Sequence, residues 1–572
     1  MTGSLIVNDY RTATALSVAK HVERTAVLTS GASGIDPRAL HHRKSRLFKW
    51  CLVLALTLIA VSPALGQTYG QPGSRPNRET PEDRAARAFE TAKSNPLELR
   101  AFLAAMPKGA DLHIHLSGAV YAETWIRDGA EDRLCVNPAS LSFAPRPPST
   151  GGDASQSACE KGDVPASRAL QDQHLYDALV DSFSMRGFVP SAGVTGHDHF
   201  FDTFSKFSGV DQRHTGEWLD EVAARAAAQN EQYLELMVTP PFTHALSAAY
   251  QLAWRDDGSL AEFREQLLSR GLRDDIAVAR AYLDQAEQTR RQREHCGEPD
   301  PSAACAVELR YIYQVLRAFP KPQAFAQTLL GFEIASADPR FVGINYVQPE
   351  DGFVAMSDYA AQMRFLEFLR GVYPKVHLTL HAGELAPGMV PPDGLCCHIR
   401  LAVEQAHAER IGHGVDIMYE ERPYDLLKEM AAKHVLVEIN LTSNDLILGV
   451  GGKDHPFPIY RKFRVPVGIS TDDEGVSRID LTHEYVRAVE TYGLTYADLK
   501  QLLRATLEHS FLPGASLWRE ADGFDRTISS CSQDTLGADK PAPACAKFLQ
   551  SSEKSRQQWE LERRFRVFES SR

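Results

Sequence analysis

Four short segments of the chain combine histidines and carboxylates in patterns that suit metal binding and proton transfer. In the first segment, His113 and His115 are two residues apart, so on a β-strand both imidazoles would face the same side. Two neutral imidazoles that face one point can both coordinate the same metal ion. The other segments are His-Ala-Gly-Glu at 381–384, Gly-His-Gly at 412–414 and Thr-Asp-Asp at 471–473.

A second His-x-His pair, His197 and His199, is interpreted differently. It lies in a predicted helix, where side chains two residues apart diverge instead of converging. We expect this pair to be structural or part of a lid over the site.

The elements that must position the four segments are strand-like runs that alternate with helical stretches. Such alternation predicts a parallel sheet, and eight strand–helix units predict an α/β (β/α)8 TIM barrel with insertions and an N-terminal helical segment. Each segment lies at or near the C-terminal end of a predicted strand, where barrel enzymes place their catalytic groups. The predicted strands are 111–116, 233–238, 308–315, 341–347, 377–381, 410–417, 435–441 and 465–470.

The sequence divides into four parts. Residues 1–66 contain a basic run, a short apolar stretch and an Ala-x-Gly ending, which predict an N-terminal extension with a signal peptide, an uncleaved anchor being the alternative. The remaining parts are a flexible terminus and helical segment at 67–105, the barrel at 106–515 with insertions near 135–168 and 286–306, and a C-terminal tail at 516–572. A secreted or periplasmic protein with no stable membrane span after processing is expected.

Cysteine count and charge agree with this interpretation. One of nine cysteines lies in the predicted signal, and the even number that remains fits an oxidising compartment. We expect bridges between the close pairs Cys135/Cys159, Cys296/Cys305 and Cys531/Cys545, whereas Cys396 and Cys397 form either a vicinal bridge or two separate thiols. A net charge of −12 argues against a nucleic-acid partner.

The first chemical segment extends to Met-Pro-Lys-Gly-Ala-Asp-Leu-His-Ile-His-Leu-Ser-Gly-Ala at 106–119. This run resembles the first-strand signature of the adenosine deaminases, a family of the metal-dependent amidohydrolase superfamily. Its Met-Pro-Lys-Gly start is most similar to the secreted, growth-factor-related branch. The resemblance extends from about residue 106 to 512, with the motifs in family order.

The resemblance implies a role for each candidate residue. It implies one zinc ion held by His113, His115, His381 and Asp472, and the absence of a lysine in 341–347 favours one metal over two. It implies that Glu384 protonates the purine nitrogen N1, that His413 orients or deprotonates the metal-bound water, and that Asp473 holds the attacking hydroxide and purine N7. Gly343 matches a glycine whose amide meets the ring, and Ser117 stands where many members have an aspartate that touches the ribose.

The expected reaction is hydrolytic deamination of adenosine or 2′-deoxyadenosine to inosine or 2′-deoxyinosine and ammonia. Replacing the C6 amino group needs a strong nucleophile, and zinc lowers the pKa of bound water to about 7. The ring resists attack until N1 is protonated, so Glu384 needs a pKa raised by burial. The alternatives are a mononuclear amidohydrolase or aminohydrolase acting on another amino-substituted ring, and a non-catalytic barrel that binds a nucleoside or a receptor. The partner is a small purine nucleoside, and a homodimer remains open.

Overall fold

The computed structural model describes residues 79–144 and 159–572. Eight parallel strands form one sheet in chain order, which confirms the predicted barrel. The strands are β1 (Gly109–His115), β5 (Glu231–Val238), β6 (Glu308–Leu316), β7 (Phe341–Val347), β8 (His377–Ala382), β9 (Arg410–His413), β10 (Leu436–Ile439) and β11 (Val467–Ile469). Every residue of β1, β5 and β7 is buried, as expected for strands covered on both faces.

The barrel closes between its first and last strands. A parallel bridge joins Ile114 to Asp472, the Asp472 amide donates to the carbonyl of His113 at 2.8 Å, and the His115 amide donates to the carbonyl of Asp472 at 3.1 Å. The sixth barrel strand, β9, ends at His413 and not at 417 as predicted, because His413 and Gly414 adopt positive φ angles of 68° and 59° that end the extended backbone.

Helices surround the barrel and fill the connections. In chain order they are α1 (Pro81–Ala92), α2 (Pro96–Ala105), α3 (Leu116–Ala119), α4 (Ala122–Glu131), α5 (Gln173–Ser182), α6 (Gly196–Lys206), α7 (Thr215–Ala228), α8 (Thr243–Tyr250), α9 (Leu260–Ser269), α10 (Asp274–Arg293), α11 (Lys321–Ala337), α12 (Phe353–Val372), α13 (His398–Glu404), α14 (Pro423–Ala432), α15 (Leu441–Leu448), α16 (Phe457–Lys462), α17 (Glu474–Ser477), α18 (Leu481–Tyr492), α19 (Tyr496–Glu508), α20 (Pro543–Ser551) and α21 (Glu553–Ser570).

The two helices that precede the barrel, α1 and α2, pack against their own chain. Phe89 and Phe102 are buried with ring centroids 5.4 Å apart, and Phe102 meets Phe568 of the last helix edge-on at 5.2 Å. Tyr496 of α19 and Phe568 of the C-terminal helix therefore cover this apolar face.

Small sheets and disulfides lie outside the barrel. Strands β2 (Cys135–Asn137), β3 (Ser142–Ala144) and β4 (Val164–Pro165) form one antiparallel sheet in the first insertion, and β12 (Trp518–Glu520) and β13 (Gly523–Thr527) form a hairpin in the tail. The three expected bridges are present, and Cys396 and Cys397 also form a bridge, which decides between the two alternatives for that pair. The bridges are Cys135–Cys159, Cys296–Cys305, Cys396–Cys397 and Cys531–Cys545.

The predicted signal segment at 1–66 lies outside the described residues. Within 79–144 and 159–572, no helix is both long enough and apolar enough to cross a bilayer.

Candidate metal centre and active site

Four residues named from the sequence converge at the carboxyl end of the barrel. One side-chain atom from each of His113, His115, His381 and Asp472 lies within 4.8 Å of the others, and all four residues are buried. The Nε2 atoms of His115 and His381 are 3.3 Å apart, and Asp472 Oδ1 lies 3.4 Å from His113 Nε2 and 3.2 Å from His115 Nε2. We call this group the metal quartet.

Each histidine of the quartet uses its other ring nitrogen for a contact within the barrel. His113 Nδ1 lies 2.6 Å from Glu438 Oε2, His381 Nδ1 lies 3.0 Å from Asn345 Oδ1, and His115 Nδ1 contacts Gln314 Oε1. Because an oxygen acceptor meets each Nδ1, the proton is fixed there and the lone pair of each Nε2 is directed into the quartet. Buried His113 Nε2 has no hydrogen-bond partner in the structure. The residues therefore fit a divalent metal ion.

The residues behind the quartet histidines were not among those predicted from the sequence. Glu438 lies in the apolar strand β10, where an ionisable residue is unusual, and this was the available signal. Its Oε1 also accepts from Arg410 Nε at 2.6 Å and from Thr379 Oγ1 at 2.7 Å, and Arg410 reaches Glu235 at 2.7 Å. Burial opposes ionisation of Glu438, but the charge of Arg410 and the contacts to His113 and Thr379 together outweigh it and lower the pKa of the carboxyl.

Asp472 and Asp473 separate for a reason that the sequence did not show. Strand β11 ends at Ile469, and Asp472 adopts a left-handed backbone with φ 63°. Asp473 then precedes the short helix α17. Non-glycine residues in this region are strained and cluster at functional sites. The turn directs Asp472 into the quartet, and Ser443 Oγ donates to its Oδ2 at 2.7 Å.

Glu384 lies in the same buried space, after the end of β8. Glu350 fixes the backbone there, since its carboxylate accepts from the amides of Gly383 at 3.0 Å and Glu384 at 2.8 Å. Burial, together with the negative charges of Asp472 and Glu350, raises the pKa of Glu384 well above its ordinary value. The surroundings of Glu384 therefore favour the protonated form of its carboxyl group.

His413 lies between the proposed acid and the quartet. Its Nδ1 is 3.7 Å from Glu384 Oε1 and its Nε2 is 3.9 Å from Asp472 Oδ2. Burial lowers the pKa of His413 to about 3, so the ring is neutral, and its Nε2 has no hydrogen-bond partner in the structure. The unpartnered nitrogen faces Asp472 of the quartet.

Asp473 approaches the backbone after β1. A Cβ atom on Gly118 would lie 1.5 Å from Asp473 Oδ1, so only glycine permits this contact. Burial raises the pKa of Asp473 to about 7, and its Oδ1 has no partner in the structure. Ser117 is the half-buried neighbour of Gly118 in α3, which places it at the mouth of the barrel.

Gly343 and the second His-x-His pair both lie outside the quartet. Gly343 is near the amino ends of the strands, because it pairs with His377 at the start of β8. A Cβ atom on Gly343 would lie 2.9 Å from Phe511. The motif placed Gly343 on the correct strand but did not show how far along that strand it lies, and the site is at the opposite, carboxyl end. His197 and His199 lie on α6 as expected, His197 contacting Asp351 Oδ1 at 3.0 Å and His199 the Ser184 carbonyl at 3.1 Å.

Comparison with known proteins identifies the family. The family model for adenosine deaminase matches residues 217–519, just over half of the chain. The chain belongs to the adenosine deaminase family. The matched segment contains His381, Glu384, His413, Asp472 and Asp473, whereas the His-x-His pair of β1 lies before it.

Similar proteins match only parts of their length. The adenosine deaminase of Clostridium perfringens is 37% identical over 135 residues, which cover 23% of this chain and 37% of that relative. The adenosine deaminase of Vibrio atlanticus is 32% identical over 207 residues, covering 36% of this chain and 56% of that relative. The chain thus spans about a third to a half of the length of these relatives.

Solved structures with a similar fold are more distant. An adenine deaminase from Arthrobacter aurescens is 17% identical, covers 71% of this chain and 94% of its own, and has a TM-score of 0.46. An N6-methyl-AMP deaminase from Arabidopsis thaliana is 19% identical, with coverages of 72% and 94% and a TM-score of 0.46. The family assignment rests on the family model and not on these structures.

Proposed function

We propose that this chain is an exported, zinc-dependent deaminase that converts adenosine or 2′-deoxyadenosine with water into inosine or 2′-deoxyinosine and ammonia. One observation carries the proposal: a buried carboxyl group with a raised pKa, Glu384, lies beside four buried groups suited to one metal ion. Hydrolysis of a simple amide has no use for an acid that faces a ring nitrogen, whereas deamination of a purine requires one.

The donor set supports zinc. Three imidazole nitrogens and one carboxylate oxygen form a ligand set typical of zinc, although other divalent ions bind similar sets. Zinc held there would supply a hydroxide at neutral pH, because it lowers the pKa of bound water to about 7.

The residues around the quartet supply proton transfer and substrate binding. Protonated Glu384 donates its proton to N1, which makes C6 electrophilic. The C6–oxygen bond forms, the proton of the added hydroxyl group passes to the amino group, and the C6–nitrogen bond breaks, so that ammonia leaves and C6 becomes a carbonyl. The proton released when water becomes hydroxide restores Glu384. His413 and Asp473 face the same space and hold the attacking oxygen and purine N7. Ser117 can exchange one hydrogen bond with the sugar but brings no charge, so either sugar is accepted.

The first experiment follows the ultraviolet change from adenosine to inosine with the zinc-loaded protein, with and without a chelator. Adenosine, 2′-deoxyadenosine and adenine are compared. We expect chelator-sensitive turnover of both nucleosides and little of adenine. Folded, zinc-loaded protein that turns over none of the three would refute the proposal and would favour another amino-substituted ring or a binding protein.

Two variants assign the roles. Glu384→Gln should retain zinc and lose turnover, because the amide cannot protonate N1. His113→Ala should lose both zinc and turnover. Near-normal deamination by Glu384→Gln would refute the assignment of the proton donor.

Export is proposed on separate grounds. The basic, apolar and small-residue pattern in 1–66 is typical of a signal peptide, and four disulfides suit an oxidising compartment. Sequencing the amino terminus of protein recovered outside the cytoplasm tests this. A terminus near Gln67 is expected, and protein found only in the cytoplasm with its first residues intact would refute export.

A further inference from the structure

The side of His413 that faces away from the quartet contacts two asparagines. Its Nδ1 lies 2.9 Å from Asn444 Nδ2 and 3.4 Å from Asn440 Nδ2, and all three residues are fully buried. A neutral imidazole carries one proton, so whichever atom fixes Nδ1 also decides what Nε2 presents to the site.

A backbone amide fixes the direction of these contacts. The amide of Phe457 lies 3.1 Å from His455 Nδ1, and a backbone N–H can only donate. His455 Nδ1 therefore holds a lone pair, and the proton of neutral His455 is on Nε2. That Nε2 donates to Asn444 Oδ1 at 3.0 Å. With its oxygen engaged, Asn444 must turn its amide nitrogen toward His413 Nδ1.

The protonation state of His455 supports this direction. Its side chain is almost wholly buried at the start of α16, and burial, together with the nearby charge of Arg487, lowers its pKa to about 3. A neutral ring with one accepting nitrogen and one donating nitrogen matches both contacts. A doubly protonated ring would face the Phe457 amide with a second proton.

We propose that Asn444 and His455 are positioning residues that hold His413 as the tautomer with its proton on Nε2. This inference rests on the proposed function and deepens it. His413 then presents an N–H on the side of its ring that faces the quartet, where Nε2 lies 3.9 Å from Asp472 Oδ2. The ring therefore orients the attacking oxygen by donating a hydrogen bond and does not remove its proton.

The sharpest variant is Asn444→Asp, which keeps the shape but replaces the amide nitrogen with an oxygen. The carboxylate requires a proton on His413 Nδ1 and leaves a lone pair on Nε2. A wrong tautomer of a catalytic histidine lowers kcat by about 10⁴-fold in a serine protease. We expect kcat to fall by about 10²-fold or more, with zinc content and KM little changed.

A matched pair at His455 separates positioning from simple packing. In His455→Gln the amide nitrogen can take the place of Nε2 and still donate to Asn444 Oδ1, so most of kcat should remain. His455→Leu is similar in bulk but cannot donate, so kcat should fall while zinc stays bound. Equal kcat in the two variants would overturn the inference.

The tautomer itself can be observed by nitrogen NMR of the full chain with ¹⁵N-labelled histidine, loaded with zinc. The His413 signals are assigned by their loss in His413→Gln. We expect a protonated Nε2 and an unprotonated Nδ1, and the reverse would overturn the inference. This readout needs no turnover, so failure of the proposed reaction and failure of the tautomer assignment are distinguishable even if Asn444→Asp does not fold.

Discussion

Replacing Glu438 with glutamine should weaken zinc binding, although Glu438 does not face the metal. Its Oε1 accepts from Arg410 Nε and Thr379 Oγ1, and its Oε2 meets His113 Nδ1. A glutamine side chain has one oxygen, which will stay directed at Arg410 Nε and Thr379 Oγ1. Its amide nitrogen then faces His113 Nδ1 and moves the ring proton to Nε2, the atom that faces the quartet.

The magnitude follows from this geometry. Loss of a partner behind a metal ligand typically costs 10- to 100-fold in metal affinity. Because Glu438→Gln opposes the required tautomer and does not merely remove an acceptor, we expect about 100-fold, equivalent to about 2.8 kcal/mol. Arg410 retains Glu235 at 2.7 Å. Leaving a buried charge unpaired costs about 3–5 kcal/mol. Because Arg410 keeps one carboxylate partner, the free energy of unfolding of the metal-free protein should fall by less than this.

The assay is competition with a chromophoric chelator, combined with denaturant unfolding of the metal-free protein. Glu409→Gln is the matched control, because Glu409 Oε1 lies 2.9 Å from His377 Nδ1 at the start of β8, away from the quartet. The control should bind zinc like the parent chain. Unchanged zinc affinity in Glu438→Gln, or equal losses in both variants, would refute the reasoning.

Three further predictions use other parts of the structure. The activity should fall as pH rises through the raised pKa of Glu384, because this group must be protonated to act; a pH profile of kcat/KM checks this, and a flat alkaline limb would contradict it. Gly118→Ala should displace Asp473, because its Cβ atom would overlap the Asp473 carboxylate, and should lower kcat/KM for adenosine by about 5- to 150-fold if the displacement costs the about 1–3 kcal/mol typical of overpacking; steady-state kinetics with unchanged zinc content tests this. Replacing Cys531 and Cys545 by serine should lower the free energy of unfolding by about 3 kcal/mol, as expected for a closed loop of about 15 residues, which denaturant titration measures.

The parts of the site that lie on one strand were predictable from sequence. Period-2 alternation placed His113 and His115 on the same face of β1, and the end of β8 supplied His381. The strand–helix alternation gave the barrel that joins them. All of these depend on local pattern alone.

The remaining contacts depend on how distant strands align. Glu438 and Asn345 contact the outer ring nitrogens of His113 and His381 only because β10 and β7 lie at a particular stagger in the barrel, which local sequence does not encode. The same limitation explains the error at Gly343. The series of hydrogen bonds that ends at His413 joins segments that contact each other only after folding. It runs from the Phe457 amide through His455 and Asn444.

The metal quartet contains residues from both sides of the contact between the first and last barrel strands. His113 and His115 belong to the first barrel strand, while Asp472 follows the last, and the Thr471 hydroxyl donates to Asp111 at 2.7 Å across a separation of 360 residues. Such distant contacts form late, because the entropy of closing a long loop must be met before they stabilise the fold. A nascent or truncated chain that lacks its last barrel strand has an incomplete quartet. A metal ion that requires all four ligands would therefore bind only after the barrel has closed.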